Sequence, residues 1–223
     1  MKPVLLDSIQ FKFKDKDKEV IKSYKEIFEN CSNLIIEKGE ISNDLADALI
    51  IPGNSFGFLE DLQERIQDVI IKEFEGEIIV GDSFIIPSNN EKIPLLIFSP
   101  IFRVPTDVHI STNFFSSFRS ILLTIKKYNS NCGEKEKQIK NVISPVFDIN
   151  NSKLKPINAA KQILEAFRVI SGFSKSKSKS KSKSKSEKNI IHEIHFPPGL
   201  SEPFNQEVHL VDEKKKLPQN HFY

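Results

Sequence analysis

Ala46-Asp47-Ala48-Leu49-Ile50-Ile51-Pro52-Gly53-Asn54-Ser55-Phe56-Gly57-Phe58 sets a short apolar run directly before a loop built from Pro, Gly, Asn and Ser. A run of this length bounded by turn residues reads as a strand, Leu49 to Ile51, covered on both faces. Pro52-Gly53-Asn54-Ser55 ends it, because these residues favour turn conformations for distinct steric and hydrogen-bonding reasons.

Working outward, strand-like and helix-like segments alternate from Met1 to about Gly172, the pattern of an α/β architecture. Val4 to Leu6 reads as a first strand, and Leu34 to Ile36 as another covered on both faces. Within Asp17 to Asn30, the residues Val20, Tyr24, Ile27 and Phe28 recur at helical spacing, so one face of that segment packs inward. Leu62, Ile66, Val69, Ile70 and Phe74 repeat the pattern. Ser83 to Pro87 and Leu95 to Ser99 read as two strands joined by a tight polar connection through Asn89-Asn90-Glu91-Lys92. Phe114, Phe118, Ile121, Leu122 and Ile125 mark a further amphipathic helix whose aromatic residues suit core packing. Asn141 to Ser144 is one more buried strand. Pro156 stands where the first residue of a helix belongs, and Ala160, Ile163, Leu164 and Phe167 form that helix's inward face.

With 223 residues, 39% hydrophobic and 28% charged, the chain suffices for one sizeable core plus extensions. Its 32 basic and 30 acidic residues leave a formal charge of only +2, so the overall balance argues against a dedicated nucleic-acid or membrane-surface protein. The N-terminal apolar run is too short for a signal peptide or a membrane span. Two cysteines, Cys31 and Cys132, lack metal-ligand or redox spacing, which points to incidental thiols and to a cytoplasmic or nuclear setting.

Beyond Gly172 the composition changes to Ser-Lys alternation from Ser174 through Ser186. Residues 1–172 are therefore expected to form the folded domain. Residues 173–188 are expected to be a low-complexity linker or insertion, and 189–223 a polar tail that contributes at most an edge strand. The lysines of the tract are a solvated spacer or a contact for an acidic partner. His192 and His195 would point to opposite faces of a strand and have no third ligand nearby, so no metal is called for. Nor is there a Walker loop, a dinucleotide-binding glycine fingerprint or a Ser-His-Asp motif, and no cofactor is expected.

The segment from Ala46 to Phe58 resembles the strand-and-loop signature of macro domains, in the branch whose loop reads Asn-Ser-Phe-Gly-Phe. Gly39-Glu40-Ile41, Gly76-Glu77, Val80-Gly81-Asp82 and Ser99-Pro100-Ile101-Phe102-Arg103-Val104-Pro105 support the resemblance, which covers roughly residues 3 to 171. It implies a three-layer α/β/α fold around a mixed sheet, with a cleft at the strand ends for ADP-ribose or a related nucleotide. Glu40 stands where an acidic residue contacts adenine, one methylene longer, beside Ile41. Asn54 matches the asparagine that contacts the distal ribose and, in hydrolytic members, helps place the attacking water. Ser55, Gly57 and Phe58 complete that loop, with Phe58 either a wall of the cleft or a core aromatic. Arg103 is a phosphate contact or a structural salt bridge.

Both glycine-rich phosphate loops of the family are altered. Leu59-Glu60-Asp61-Leu62 replaces a glycine pair, so side chains occupy space where bare backbone would approach the ligand, and two carboxylates enter it. The second loop, Val146-Phe147-Asp148-Ile149-Asn150-Asn151-Ser152-Lys153, has no glycine to aim N–H groups at an anion. Hydrolysis depends on holding a water in place, so this divergence predicts a nucleotide binder with weak or no hydrolase activity. An ADP-ribosyl hydrolase using Asn54 and a degenerate fold serving as an interaction scaffold are the alternatives.

Overall fold

The computed structural model describes residues 8–42, 44–59, 63–106, 110–133, 137–147 and 153–172. In chain order the elements are β1 (Gln10–Asp15), α1 (Lys18–Phe28), β2 (Leu34–Lys38), β3 (Ala48–Asn54), α2 (Gln63–Glu73), β4 (Phe84–Pro87), β5 (Leu95–Phe102), α3 (Asn113–Asn131), β6 (Asn141–Pro145) and α4 (Pro156–Ser171). The six strands form one sheet in the order β2-β1-β6-β3-β5-β4. All pairings are parallel except β4 with β5, so the sheet is mixed.

Alternation along the strands divides the apolar side chains between two layers of helix. Ile50, Ile97, Phe11, Phe13 and Val142 face one side, where they join side chains of α1, α3 and α4 in a single buried cluster. Leu49, Ile51, Leu96 and Phe98 face the other, where Ile66 and Ile70 of α2 pack on them together with Phe84 and Ile86. The result is the expected three-layer α/β/α arrangement. Much of the larger cluster is aromatic: Phe11 meets Phe118 edge-on at 5.3 Å and Phe167 at 6.1 Å. Such pairs add roughly 0.5–1.5 kcal/mol each beyond the burial of their surface.

Local signals set the helix ends. Asp17 caps α1 by accepting from the N–H groups of Glu19 at 2.7 Å and Val20 at 3.3 Å. Pro156 opens α4, and Gly172 closes it in the left-handed conformation with φ 68°.

Three expectations change. β3 runs on through Pro52, Gly53 and Asn54, which pair with β5 instead of ending the strand. β1 is a strand that apolar-run counting passes over, because Phe11 and Phe13 alternate with Lys12 and Lys14 in a segment half made of charges. β2 is not covered on both faces: it is an edge strand whose Ile35 is 41% exposed while Leu34 and Ile36 are buried. The expected strand at Val4 to Leu6, the Lys/Ser tract, His192, His195 and the C-terminal tail lie outside the described residues. Among the described residues, no helix is long and apolar enough to cross a membrane, and no group of acidic, His and Cys side chains could hold a metal ion.

Asp47, at the entry to β3, ties that strand to β6. Its buried carboxylate accepts the N–H groups of Lys140 at 2.9 Å and Asn141 at 2.8 Å, and Lys137 Nζ lies 2.6 Å away. Burial alone would push this carboxyl up. Lys137 and the two backbone donors outweigh that effect and hold it below its ordinary value.

Candidate functional site

Five parallel strands end on the same side of the sheet, so the loops after β1, β2, β3, β5 and β6 gather along one crest. After β6 the chain continues to α4 on one face, whereas after β3 it continues to α2 on the other. Neighbouring strands whose connections diverge in this way leave a crevice outside their carboxyl ends. Asn54, the last residue of β3, and Val146, the first after β6, stand at these two strand ends.

At the end of β3 the register with β5 slips: Gly53 lies opposite Pro100 but Asn54 opposite Phe102. Asn54 falls on the same strand face as the buried Ala48 and Ile50 and is 7% exposed. Its Oδ1 accepts the N–H groups of Phe56 at 3.0 Å and Phe58 at 3.4 Å, and its Nδ2 donates to the Phe58 carbonyl at 3.2 Å. Asn54 therefore clamps its own loop and keeps one amide hydrogen for another partner. Gly57, at φ 70°, is required by its backbone and by space, since a Cβ there would lie 2.8 Å from Ile66 and from Ile70 of α2. Gln67 of α2 also holds the loop, donating to the Phe56 carbonyl at 3.3 Å.

Ser55 is buried, and its N–H is shared between the carbonyls of Phe102 and Arg103, each at 3.1 Å. Arg103 spends its guanidinium on Glu77: Nε reaches Oε1 at 2.6 Å and Nη2 reaches Oε2 at 2.9 Å. That pairing lowers the Glu77 carboxyl and raises the arginine. The guanidinium carbon also sits 5.2 Å from the centre of the Phe56 ring. Phe58, whose ring lies 6.1 Å from that of Phe56, is 58% exposed and so is no core aromatic. Asn54, Ser55, Gly57, Phe58 and Arg103 thus form one cluster at the ends of β3 and β5.

Glu40 and Ile41 lie at the other end of the crest. Glu40 is exposed and paired with the equally exposed Lys16. Beneath it, Lys14 Nζ binds Asp44 Oδ1 at 2.7 Å with both side chains largely covered, which fastens the loop after β2 to the end of β1. On the β6 side, the Val146 N–H donates to the Lys14 carbonyl at 3.1 Å, prolonging the sheet by one residue. Phe147 is fully buried, edge-on to Phe114 at 5.5 Å, so its side chain belongs to the core. Asp148 and Asn150 lie outside the described residues. Motif reading passed over Lys14 and Asp44, because a lysine inside an unrecognised strand gives no sign of its partner. The pairing of Arg103 with the glutamate of Gly76-Glu77 was equally hidden, since 26 residues separate them.

No protein-family model and no curated protein matches the chain. Among solved structures, the macrodomain of Mycobacterium tuberculosis DarG is similar with 16% identity and a TM-score of 0.44, covering 60% of this chain and 89% of that one. DarTG of Thermosipho africanus, solved in complex with ADP-ribose, is similar with 14% identity and a TM-score of 0.41; 70% of this chain is covered, and it spans half the length of that one. A macrodomain variant of Oceanobacillus iheyensis is similar with 10% identity and a TM-score of 0.36, covering 57% of this chain and 88% of that one.

Proposed function

We propose that the chain binds ADP-ribose or a related nucleotide in the crevice between the ends of β6 and β3, with weak or no hydrolase activity. The observation that carries this reading is the divergence of the connections after these two strands, with the Asn54 loop on one rim. Phe58 offers an exposed ring as a stacking or apolar wall, and Asn54 keeps a single amide hydrogen for a sugar hydroxyl. Hydrolysis would ask the same side chain to orient a water by accepting from it, yet both acceptor positions of Oδ1 are taken by Phe56 and Phe58.

A second reading, an interaction scaffold, draws on Arg103 and Phe147. The first is tied to Glu77 and the second is buried, so two of the side chains expected at the cleft are engaged elsewhere. The Lys/Ser tract at 174–186 would serve either reading as a contact for an acidic partner, through charge alone. Titration of ADP-ribose into the chain by calorimetry, repeated with Phe58→Ala, separates the two. Saturable heat that weakens in the variant supports the nucleotide cleft. Absence of heat over a range of temperatures leaves the scaffold.

A further inference from the structure

A second concave site lies at the edge of the sheet, where the turn before the edge strand β4 meets the middle of α3. Gly81, Asp82 and Ser83 face Arg119, Ser120, Leu123, Thr124 and Lys127 across a cleft of about 250 Å³. The helical residues recur at the spacing of one helix face, so the cleft runs along α3 for more than two turns. We propose that it binds a phosphate monoester.

Three hydroxyls floor the cleft in a connected set. Ser83 Oγ lies 2.8 Å from Ser120 Oγ and 2.7 Å from Thr124 Oγ1, and Thr124 also reaches the Ser83 carbonyl at 3.3 Å. The turn carrying Ser83 is held from behind: the Asp82 N–H donates to the Ile79 carbonyl at 3.1 Å, and Ser99 Oγ of β5 donates to the Asp82 carbonyl at 2.9 Å. A floor fixed in this way costs little to order when a ligand arrives.

Charge at the rim favours an anion. Arg119 and Lys127, about two turns apart on α3, bracket the hydroxyls, and neither takes part in the ion pairs formed among the described residues. Asp82 opposes them with one carboxylate, leaving two positive charges against one negative. Arginine supplies a planar fork for phosphate oxygens and lysine a point charge, while the three hydroxyls, whose protons are mostly spent on one another and on the Ser83 carbonyl, keep at most one for the ligand. Leu123 on the same face gives an apolar surface for whatever carries the phosphate.

The test titrates the full chain with inorganic phosphate and, separately, with N-acetyl-O-phosphoserine amide, following backbone amide shifts. Saturable shifts centred on Ser83, Ser120 and Thr124 are expected. Tighter binding of the phosphoserine compound is expected for a monoester site, and equal or tighter binding of inorganic phosphate overturns that assignment. Arg119→Gln combined with Lys127→Gln is expected to weaken binding by about tenfold, the effect of losing charge-assisted donors. Asp82→Asn is expected to tighten it by about twofold through relief of repulsion. An unchanged amide spectrum elsewhere and unaltered ADP-ribose titration in the double variant would show that the fold and the crest are intact. Shifts that fail to saturate, that centre elsewhere, or that survive the double substitution overturn the proposal.

Discussion

Asn54 and Phe58 hold each other at both polar ends: Asn54 Nδ2 donates to the Phe58 carbonyl at 3.2 Å, and Asn54 Oδ1 accepts the Phe58 N–H at 3.4 Å. The ring of bonds encloses Phe56 and Gly57 and fixes the direction in which the exposed Phe58 ring leaves the loop. Asn54→Ala removes all three bonds of the side chain from a buried position. It is expected to cost about 1–3 kcal/mol of stability, the range for orphaned buried groups, and to weaken nucleotide binding. Chemical denaturation and calorimetry on the same preparation measure both effects.

Gly57→Ala tests the loop from its backbone. The new Cβ would sit 2.8 Å from two isoleucine side chains of α2, at a φ of 70° that alanine adopts only with strain. A loss of about 1–3 kcal/mol is expected from strain and overpacking together, read as a lowered denaturation midpoint.

Asp47 predicts an acid sensitivity whose direction follows from its lowered carboxyl. A carboxyl lowered on folding stabilises the protein above its unfolded value, about 3.9 for aspartate. That contribution is lost as pH falls through the folded value. The wild type should therefore lose stability below about pH 4 more steeply than Asp47→Asn, which should already be weaker at neutral pH. Lys137→Ala should remove part of the effect, because Lys137 is the largest influence lowering the carboxyl; its 80% exposure limits that part, and the two backbone donors retain the rest. Thermal denaturation across pH measures it.

Tyr24 carries the reverse expectation. Its hydroxyl is fully buried without a hydrogen-bond partner among the described residues, and burial, with a smaller effect from Asp15, raises its ionisation well above the ordinary range. Tyr24→Phe removes the orphaned group while keeping the ring contacts with Phe13 and Phe28. It is expected to leave stability unchanged or raise it by about 1 kcal/mol, measured by denaturant titration.

Legibility of the fold followed the contrast between apolar runs and their surroundings. Leu49 to Ile51 and the face Phe114, Phe118, Ile121, Leu122 and Ile125 stood out, and the structure places them in β3 and α3. β1 did not stand out, because its two phenylalanines are interleaved with lysines that face away from the core. At the crest, the Asn54 loop was legible because its turn chemistry is local. The partners of Arg103 and Lys14 were not, since each pairing joins segments 26 to 30 residues apart and depends on strand order. The cleft on α3 was invisible for the same reason: Ser83 meets Thr124 only because the β4 edge lies beside the helix.

Calorimetric titration of ADP-ribose into the full chain, compared with Phe58→Ala, tests the central claim most directly. Phe58 is exposed, so the substitution should leave the fold intact while removing the wall of the crevice. The account predicts saturable binding that weakens by about tenfold in the variant, the worth of one stacking contact. Binding of equal strength in both proteins, or none in either, would contradict it.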